Sequence, residues 1–165
     1  MTAAQPKTEK HADTRERLLL TALNLYAREG LHAVSLRRIS AEAGSKNSAA
    51  MHYHFDNQRG VVHALMKMIT HELRDMDEAL REDKGEKNGG KKGEQRSMRE
   101  ACREIVRPLV LLPSKQPWGA DAVRFMSRIV SENDADMPAI INETYAPFLQ
   151  RLDKAVAAEI GRAHV

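Results

Sequence analysis

Apolar residues recur at spacings of three and four along most of this 165-residue chain, and this periodicity constrains the fold more than any other feature. In the segment TRERLLLTALNLYAREG, residues 14–30, a leucine, alanine or tyrosine returns to one side of a helix at each turn. No segment shows the sustained two-residue alternation of a half-buried strand. Aromatic residues make up only 4% of the chain, so the core must be built from aliphatic side chains and methionine. The sequence therefore predicts an all-α fold.

The periodicity and its breaks divide the chain into seven predicted helices. These helices cover residues 13–29, 35–44, 47–53, 57–80, 98–112, 118–132 and 137–160. Asp13 or Thr14 is the expected N-cap of the first helix, and Gly30 is its expected stop. Pro108 is expected to kink or end the fifth helix. Residues 81–96, REDKGEKNGGKKGEQR, contain nothing apolar, which predicts a flexible linker; the alternative is a basic contact to a nucleic-acid backbone.

Several classes of protein are disfavoured by what the sequence lacks. No apolar run reaches the ~20 residues that cross a bilayer, and the polar first residues are unlike a signal peptide, so we expect a cytoplasmic protein. A single cysteine, Cys102, excludes a disulfide framework, and its apolar-periodic surroundings favour packing over nucleophilic chemistry. No Ser/His/Asp order, carboxylate pair or glycine-rich phosphate loop is present, so we expect no enzyme, no catalytic residues and no cofactor.

Positive charge is concentrated at one end of the chain. The net charge is +3, and all of that excess lies in residues 1–60, together with four of the seven histidines. A basic bias of this size favours an anionic partner only weakly, because many N-terminal segments are mildly basic.

Two short predicted helices joined by a glycine turn, with a longer helix before them, indicate a helix-turn-helix. In such a unit the first short helix supports the second, which lies in the major groove of DNA. Leu36, Ile39 and Ala43 fall on the inward side of the first short helix. Arg37 and Arg38 fall on its outward side, where they either contact DNA or form an ordinary solvated face.

The second short helix begins with small polar residues, which allow close approach to base edges. Asn and Lys side chains can hydrogen-bond bases, and Ser and Ala can contact a thymine methyl group. Ser35 can offer its hydroxyl and nearby amides to a phosphate, while Tyr53 is either a phosphate contact or a packing residue. The candidate DNA-binding residues from this pattern are Ser35, Arg37, Arg38, Ser45, Lys46, Asn47, Ser48, Ala49, Tyr53 and His54. Met51 and Phe55 are expected to pack inward.

His52 and His54 raise the alternative of a metal site in the same segment. Residues two apart lie on different faces of a helix, whereas metal-binding pairs prefer spacings of three or four. No carboxylate stands at a useful spacing, so we expect no metal site.

Residues 14–65 resemble the DNA-binding domain of the TetR/AcrR family of transcriptional regulators. The matching features are Leu18-Leu19, Ala22, Leu25-Tyr26-Ala27, Gly30, Ser35-Leu36-Arg37-Arg38-Ile39, Ala43-Gly44 and Tyr53-His54-Phe55. The resemblance implies a bacterial homodimeric repressor that binds a palindromic operator and is released by a small-molecule effector. Two departures stand out: the turn after Gly44 is one residue longer, and the usual basic residue inside the next helix is Gln58, with Arg59 beside it. Arg59 therefore joins the candidate phosphate contacts.

The resemblance also implies a division into parts. Residues 1–12 are expected to be a disordered arm, 13–56 the helix-turn-helix domain, and 57–165 a helical regulatory domain. Within the last, 57–80 form a connecting helix, 81–96 the linker and 97–160 the ligand and dimerisation helices. Residues that either line an apolar ligand pocket or form ordinary core are Met66, Trp118, Phe125, Met126 and Tyr145.

The C-terminal sequence EIGRAHV, residues 159–165, resembles a translated sequencing adapter. We therefore expect residues 161–165 to be non-native and the regulatory domain to be truncated, with one of the family's two dimerisation helices present. An alternative function follows from that expectation: a helical ligand-binding or scaffold protein whose non-dimerising helix-turn-helix no longer binds DNA.

Overall fold

The computed structural model describes residues 7–45, 49–82 and 98–131, together with five helical positions between 146 and 157. Within the three ranges the chain forms six helices and no strand, which confirms the all-α prediction. The helices are α1 (Lys7–Glu29), α2 (Leu36–Glu42), α3 (Ala50–Phe55), α4 (Gln58–Glu82), α5 (Met98–Lys115) and α6 (Gly119–Ser131). Most of the predicted linker 81–96 and most of the predicted last helix lie outside the described residues.

The chain divides into two compact units. The first comprises Met1–Leu65 and Trp118–Asp134, and the second comprises Met66–Pro117 and Ala135–Val165. The first unit therefore contains α1, α2, α3, the beginning of α4 and the whole of α6. This grouping was not expected from the sequence, because a long stretch of chain separates α6 from the helix-turn-helix.

The core of the first unit is formed by buried apolar residues of five helices: α1, α2, α3, the beginning of α4, and α6. α1 contributes the leucine and alanine stripe whose periodicity is visible in the sequence, and Tyr26 at its C-terminal end is fully buried. α6 packs against α1 through small and apolar residues at helical spacing, and its Phe125 stacks on Tyr26 with ring centroids 6.2 Å apart. The buried residues of α6 are Gly119, Ala122, Phe125 and Ile129.

The second unit contains the greater part of α4 and all of α5. Ile69 and Leu73 are buried, in agreement with the predicted apolar face of the long helix, and Leu112 of α5 is buried as well. The Gln116 amide donates a hydrogen bond to Glu72 Oε1 at 2.7 Å, which ties the end of α5 to α4. Across the described residues, none of the helices combines the length and apolarity needed to cross a membrane.

The first helix begins earlier than the sequence indicated. α1 starts at Lys7, so residues 7–12 are helical rather than a disordered arm, and Asp13 and Thr14 lie inside the helix rather than at its cap. The segment from Lys7 to Ala12 lacks an apolar stripe, which is why periodicity did not detect it. Most of its residues have good intrinsic helix propensity, and an existing helix extends over such residues at little cost.

Pro108 does not end α5, which continues through both Pro108 and Pro113 to Lys115. Proline removes one amide and crowds the carbonyl four residues earlier, but the flanking turns keep their own hydrogen bonds. Pro108 and Leu112 are both buried, so packing on one side of the helix supports the interrupted turn.

Candidate DNA-binding interface

Ser35 caps α2 as predicted. Its backbone is extended, with φ −85° and ψ 153°, and its Oγ accepts a hydrogen bond of 3.2 Å from the backbone amide of Arg38. Serine at this position satisfies one of the amides that the first helical turn leaves without a partner. Ile39 and Ala43 are buried beneath α2, while Leu36 is half-buried. The cap and the inward side of α2 are therefore confirmed.

Gly44 forms the turn between α2 and α3. Its φ of +67° lies in the left-handed region that glycine adopts without strain. The amide of Gly44 donates to Ala41 O at 3.0 Å, and the amide of Ser45 donates to Ser40 O at 2.9 Å. These paired bonds close the end of α2 as a glycine C-cap does. Lys46, Asn47 and Ser48, the residues expected to read bases, lie outside the described residues.

α3 has a buried side and an exposed side. Ala50, Met51 and Phe55 are buried, which confirms the inward packing of Met51 and Phe55. Ala49 and Tyr53 are exposed and lie one turn apart, because the Tyr53 amide donates to Ala49 O at 2.9 Å. The Tyr53 residue is 77% exposed. An aromatic side chain with this exposure places its hydroxyl within reach of a partner rather than of the core.

The aromatic end of α3 is organised by neighbouring rings and a cation. The half-buried His54 ring meets the Tyr53 ring edge-on, with centroids 5.0 Å apart. The Arg15 guanidinium lies 5.1 Å from the centroid of the buried Phe55 ring, a cation–π contact that joins α1 to α3. His52 Nδ1 lies 2.7 Å from Asp56 O, within hydrogen-bonding distance.

The two adjacent arginines of α2 have different surroundings. Arg37 is exposed and, within the described part of the chain, forms no ion pair. Arg38 instead makes a two-pronged contact with Glu29 at 2.5 and 2.8 Å and binds Glu42 at 2.9 Å. Hydrogen bonding to Glu29, followed by that to Glu42, raises the pKa of Arg38 above its ordinary value. Hydrogen bonding to Arg38 likewise lowers the pKa of Glu29.

Gln58, which stands where the family usually has a basic residue, makes hydrogen bonds within the protein. Its side-chain amide is half-buried and donates to Leu31 O at 2.6 Å, with Val34 O at 3.5 Å. Gln58 therefore fastens the start of α4 to the turn that precedes Ser35. Arg59, the next residue, is exposed. Burial raises the pKa of the Tyr26 hydroxyl to about 12, and the Gln58 amide opposes that rise.

No local pattern in the sequence indicates the polar contacts between α1 and α6. The Asn24 amide donates to Asp121 Oδ2 at 2.8 Å. Arg128 donates from Nε to Ala27 O and from Nη2 to Arg28 O, each at 2.9 Å. These partners are about a hundred positions apart in the chain, so no local spacing could have revealed them. The amphipathic pattern of α6 predicted a packed helix but not its partner.

The family model described as bacterial regulatory proteins, tetR family, matches residues 18–65. The match runs from the buried stripe of α1 through the helix-turn-helix to the first turns of α4. The segment belongs to the tetR family. The match supports a DNA-binding transcriptional regulator.

The candidate ligand-pocket residues have varied surroundings. Met66 is buried in the second unit, whereas Phe125 is buried in the first, where it packs on Tyr26. Trp118 and Met126 are half-buried, and Tyr145 lies outside the described residues. An open groove of about 590 Å³ lies on the first unit, and none of the five lines it. Its lining is Asp13, Glu16, Arg17, Leu20, Thr21, Asn24 and Glu42.

Proposed function

We propose that this tetR-family protein is a cytoplasmic repressor that binds a palindromic operator as a homodimer and dissociates when a small-molecule effector binds. The observation that carries the proposal is the exposed side of the helix-turn-helix. Ala49 and Tyr53 lie on one exposed side of α3, after a turn that Gly44 closes, and Arg37 is exposed on α2. A short helix with a small residue and a tyrosine outward can approach base edges while the hydroxyl reaches a phosphate.

Each candidate residue has a proposed role within that interface. Arg37 and Arg59 contact phosphates, and Tyr53, with His54 beside it, contacts the DNA backbone. Ser35, Ser45 and Ala49 lie close to the duplex, and Lys46, Asn47 and Ser48 reach the bases. Phosphate contacts fix the register of the protein on DNA, whereas base contacts carry the sequence information.

Dimerisation follows from the geometry of this recognition mode. A single short helix contacts only a few base pairs, so specificity requires two helices on two half-sites about one helical turn apart. A two-fold-symmetric dimer then matches a palindromic operator. An effector that binds a different conformation of the regulatory helices more tightly shifts the population away from the DNA-bound form.

A mobility-shift assay on the promoter of the protein's own gene tests the central claim. We expect a discrete complex whose affinity falls steeply between about 50 and 200 mM salt, because phosphate contacts release counterions. Hydroxyl-radical footprinting of that complex should protect two symmetric half-sites. Failure to bind this promoter or any fragment of the flanking DNA at low salt would contradict the DNA-binding role.

The dimer and the effector need separate measurements. Sedimentation equilibrium should give twice the mass of the chain, and a reporter gene behind the bound promoter should be repressed rather than activated. Native mass spectrometry of protein purified from its host should detect a bound small molecule, and adding the identified compound should dissociate the DNA complex. A monomer on DNA, or activation of the reporter, would overturn those parts of the proposal without affecting DNA binding.

Asn47→Ala tests base recognition by the start of α3. Loss of a bidentate contact to a base costs about 1–3 kcal/mol of discrimination, so affinity for the operator should fall while affinity for random DNA is unchanged. Arg59→Ala is the matched control, because loss of its proposed phosphate contact weakens both complexes equally. Equal losses on both DNAs for Asn47→Ala would refute its role in reading bases.

A further inference from the structure

α6 lies far from the helix-turn-helix in sequence, yet its side chains hold the end of α1. Arg128 donates two hydrogen bonds of 2.9 Å to the carbonyls of Ala27 and Arg28, which belong to the last turn of α1. Carbonyls in a last helical turn lack the amide partners of the helix interior. A guanidinium satisfies two of them at once and also favours the negative end of the helix dipole.

The same short segment is fastened by two other helices. Glu29, next to Arg28, takes the forked contact from Arg38 of α2. Leu31 and Val34, just beyond, present their carbonyls to Gln58 of α4. We call residues 27–34 the α1–α2 junction. It ends directly before Ser35, the cap that fixes where α2 begins.

We propose that Arg128 is a positioning residue for DNA binding: by holding the α1–α2 junction from α6, it sets the placement of α2 and therefore of Arg37. The inference rests on the proposed function, because it concerns the DNA affinity of the helix-turn-helix. Arg128 itself touches backbone of α1 and is assigned no contact to DNA. The minimal DNA-binding unit of this chain then includes α6, well beyond the segment that matches the family.

Arg128 affects DNA affinity through the geometry of the α1–α2 junction, and not through a charge contact with DNA. Arg128 is half-buried, and its neighbouring Ile129 and Phe125 are buried against the first unit's core, so α6 is a rigid support for the guanidinium. When the guanidinium is removed, the last turn of α1 can fray, and the turn before Ser35 loses one of its three attachments. Phosphate and base contacts would then form only after that segment is ordered again, which weakens binding.

The test compares Arg128→Ala and Arg128→Lys with Arg124→Ala in the full chain. Arg124 lies one turn away on the same helix and bonds Asp121 Oδ1 at 3.1 Å, whereas the bond from Asn24 of α1 goes to the other oxygen, Oδ2. Arg124→Ala therefore removes the same charge without removing a bond to α1. Operator affinity is measured across salt concentrations at a temperature where circular dichroism shows each variant folded. Hydrogen–deuterium exchange of peptides covering residues 27–38 is measured on the same samples.

For Arg128→Ala we expect affinity about tenfold weaker, in keeping with the loss of charge-assisted hydrogen bonds, together with faster exchange in residues 27–38. The slope of log K against log salt should equal that of the wild type, because no phosphate contact is lost. The affinity of Arg128→Lys should lie between those of the wild type and Arg128→Ala, since lysine keeps the charge but cannot make both guanidinium bonds. Arg124→Ala should bind within about twofold of the wild type, as exposed ion pairs contribute little.

Three results overturn the inference. The first is an operator affinity for Arg128→Ala equal to that of the wild type. If the alanine variant does not fold, the same result is wild-type affinity for Arg128→Lys together with unchanged hydrogen–deuterium exchange in residues 27–38. The second is a salt slope smaller by about 0.9, which would mark Arg128 as a phosphate contact instead. The third is an equal loss for Arg124→Ala, which would indicate a general charge effect. If the wild-type protein itself does not bind the operator, the proposed function fails, and the exchange data alone still decide whether Arg128 orders the junction.

Discussion

Residues that are neighbours in the helix-turn-helix sequence lie on different sides of the folded unit. Tyr53 is 77% exposed and Phe55, two residues later, is 5% exposed; Arg37 is exposed and Arg38 is held by Glu29 and Glu42. The exposed member of each pair is the proposed DNA contact, and the other member supports the helix that carries it. Residue type alone therefore predicts too many DNA contacts. The position of each side chain around its helix decides whether it faces solvent or the protein.

The comparison changes how the basic N-terminal third should be interpreted. All of the chain's excess positive charge lies in residues 1–60, and composition counts each cation equally. Arg38 has its charge met by two carboxylates, and Arg15 is placed over the Phe55 ring. The number of cations that can release counterions from DNA is smaller than the count of basic residues. The salt dependence of binding measures that number directly.

The largest expected effect comes from the aromatic pair. Phe55→Ala removes a buried ring from between α1 and α3 and should lower the free energy of unfolding by about 3–5 kcal/mol. Tyr53→Ala removes an exposed ring and should change that free energy by no more than about 0.5 kcal/mol, yet weaken operator binding. Urea denaturation and a mobility shift on both variants check the pair. A stability loss in Tyr53→Ala as large as that in Phe55→Ala would show that Tyr53 is a packing residue.

Arg37→Ala and Arg38→Ala should differ in the salt dependence of DNA binding more than in the size of the affinity loss. Arg37→Ala should reduce the slope of log K against log salt by about 0.9, the value for one phosphate contact. Arg38→Ala should lower the urea midpoint and weaken binding a few-fold with the slope unchanged, because it loses its contacts to Glu29 and Glu42 rather than a phosphate. Fluorescence anisotropy at four or more salt concentrations measures both slopes. A reduced slope for Arg38→Ala would return Arg38 to the DNA contacts expected from its position on α2.

Much of the fold could be predicted because it follows from local patterns. The cap at Ser35, the turn at Gly44 and the buried face of α4 all come from residue types at fixed spacings. The beginning of α1 was missed because its first residues are helix formers without an apolar stripe. The continuation of α5 past Pro108 was missed because tertiary packing supports a turn that local rules would break.

The site was predictable to a smaller extent, because the sequence shows which residues are polar but not what they bind. Arg37 and Arg38 look equivalent until Glu29 is placed at the end of α1 beside one of them. In the sequence Gln58 stands out only as a departure from a basic residue, and its bond to Leu31 O depends on how α4 meets the turn before α2. Arg128 could not be found at all, since its partners lie about a hundred positions away.

The smallest expected effect is on the titration of Glu29, which is the most direct check of the ion pair between Arg38 and Glu29. Its hydrogen bond to Arg38 lowers its pKa below the ordinary 4.5 in the folded protein, whereas the unfolded chain has no such bond. A folded-state pKa below the unfolded-state pKa stabilises the protein above about pH 4.5, and this contribution is lost as the pH falls through the folded-state pKa. The difference in urea midpoint between the wild type and Arg38→Gln should therefore be full at pH 7 and should shrink below pH 4.5. Carbon-detected NMR of the Glu29 carboxyl should show a lowered pKa in the wild type and an ordinary one in Arg38→Gln. An ordinary pKa for Glu29 in both proteins would mean that the Arg38 fork is not held in solution, and Arg38 would then be as available to a phosphate as Arg37.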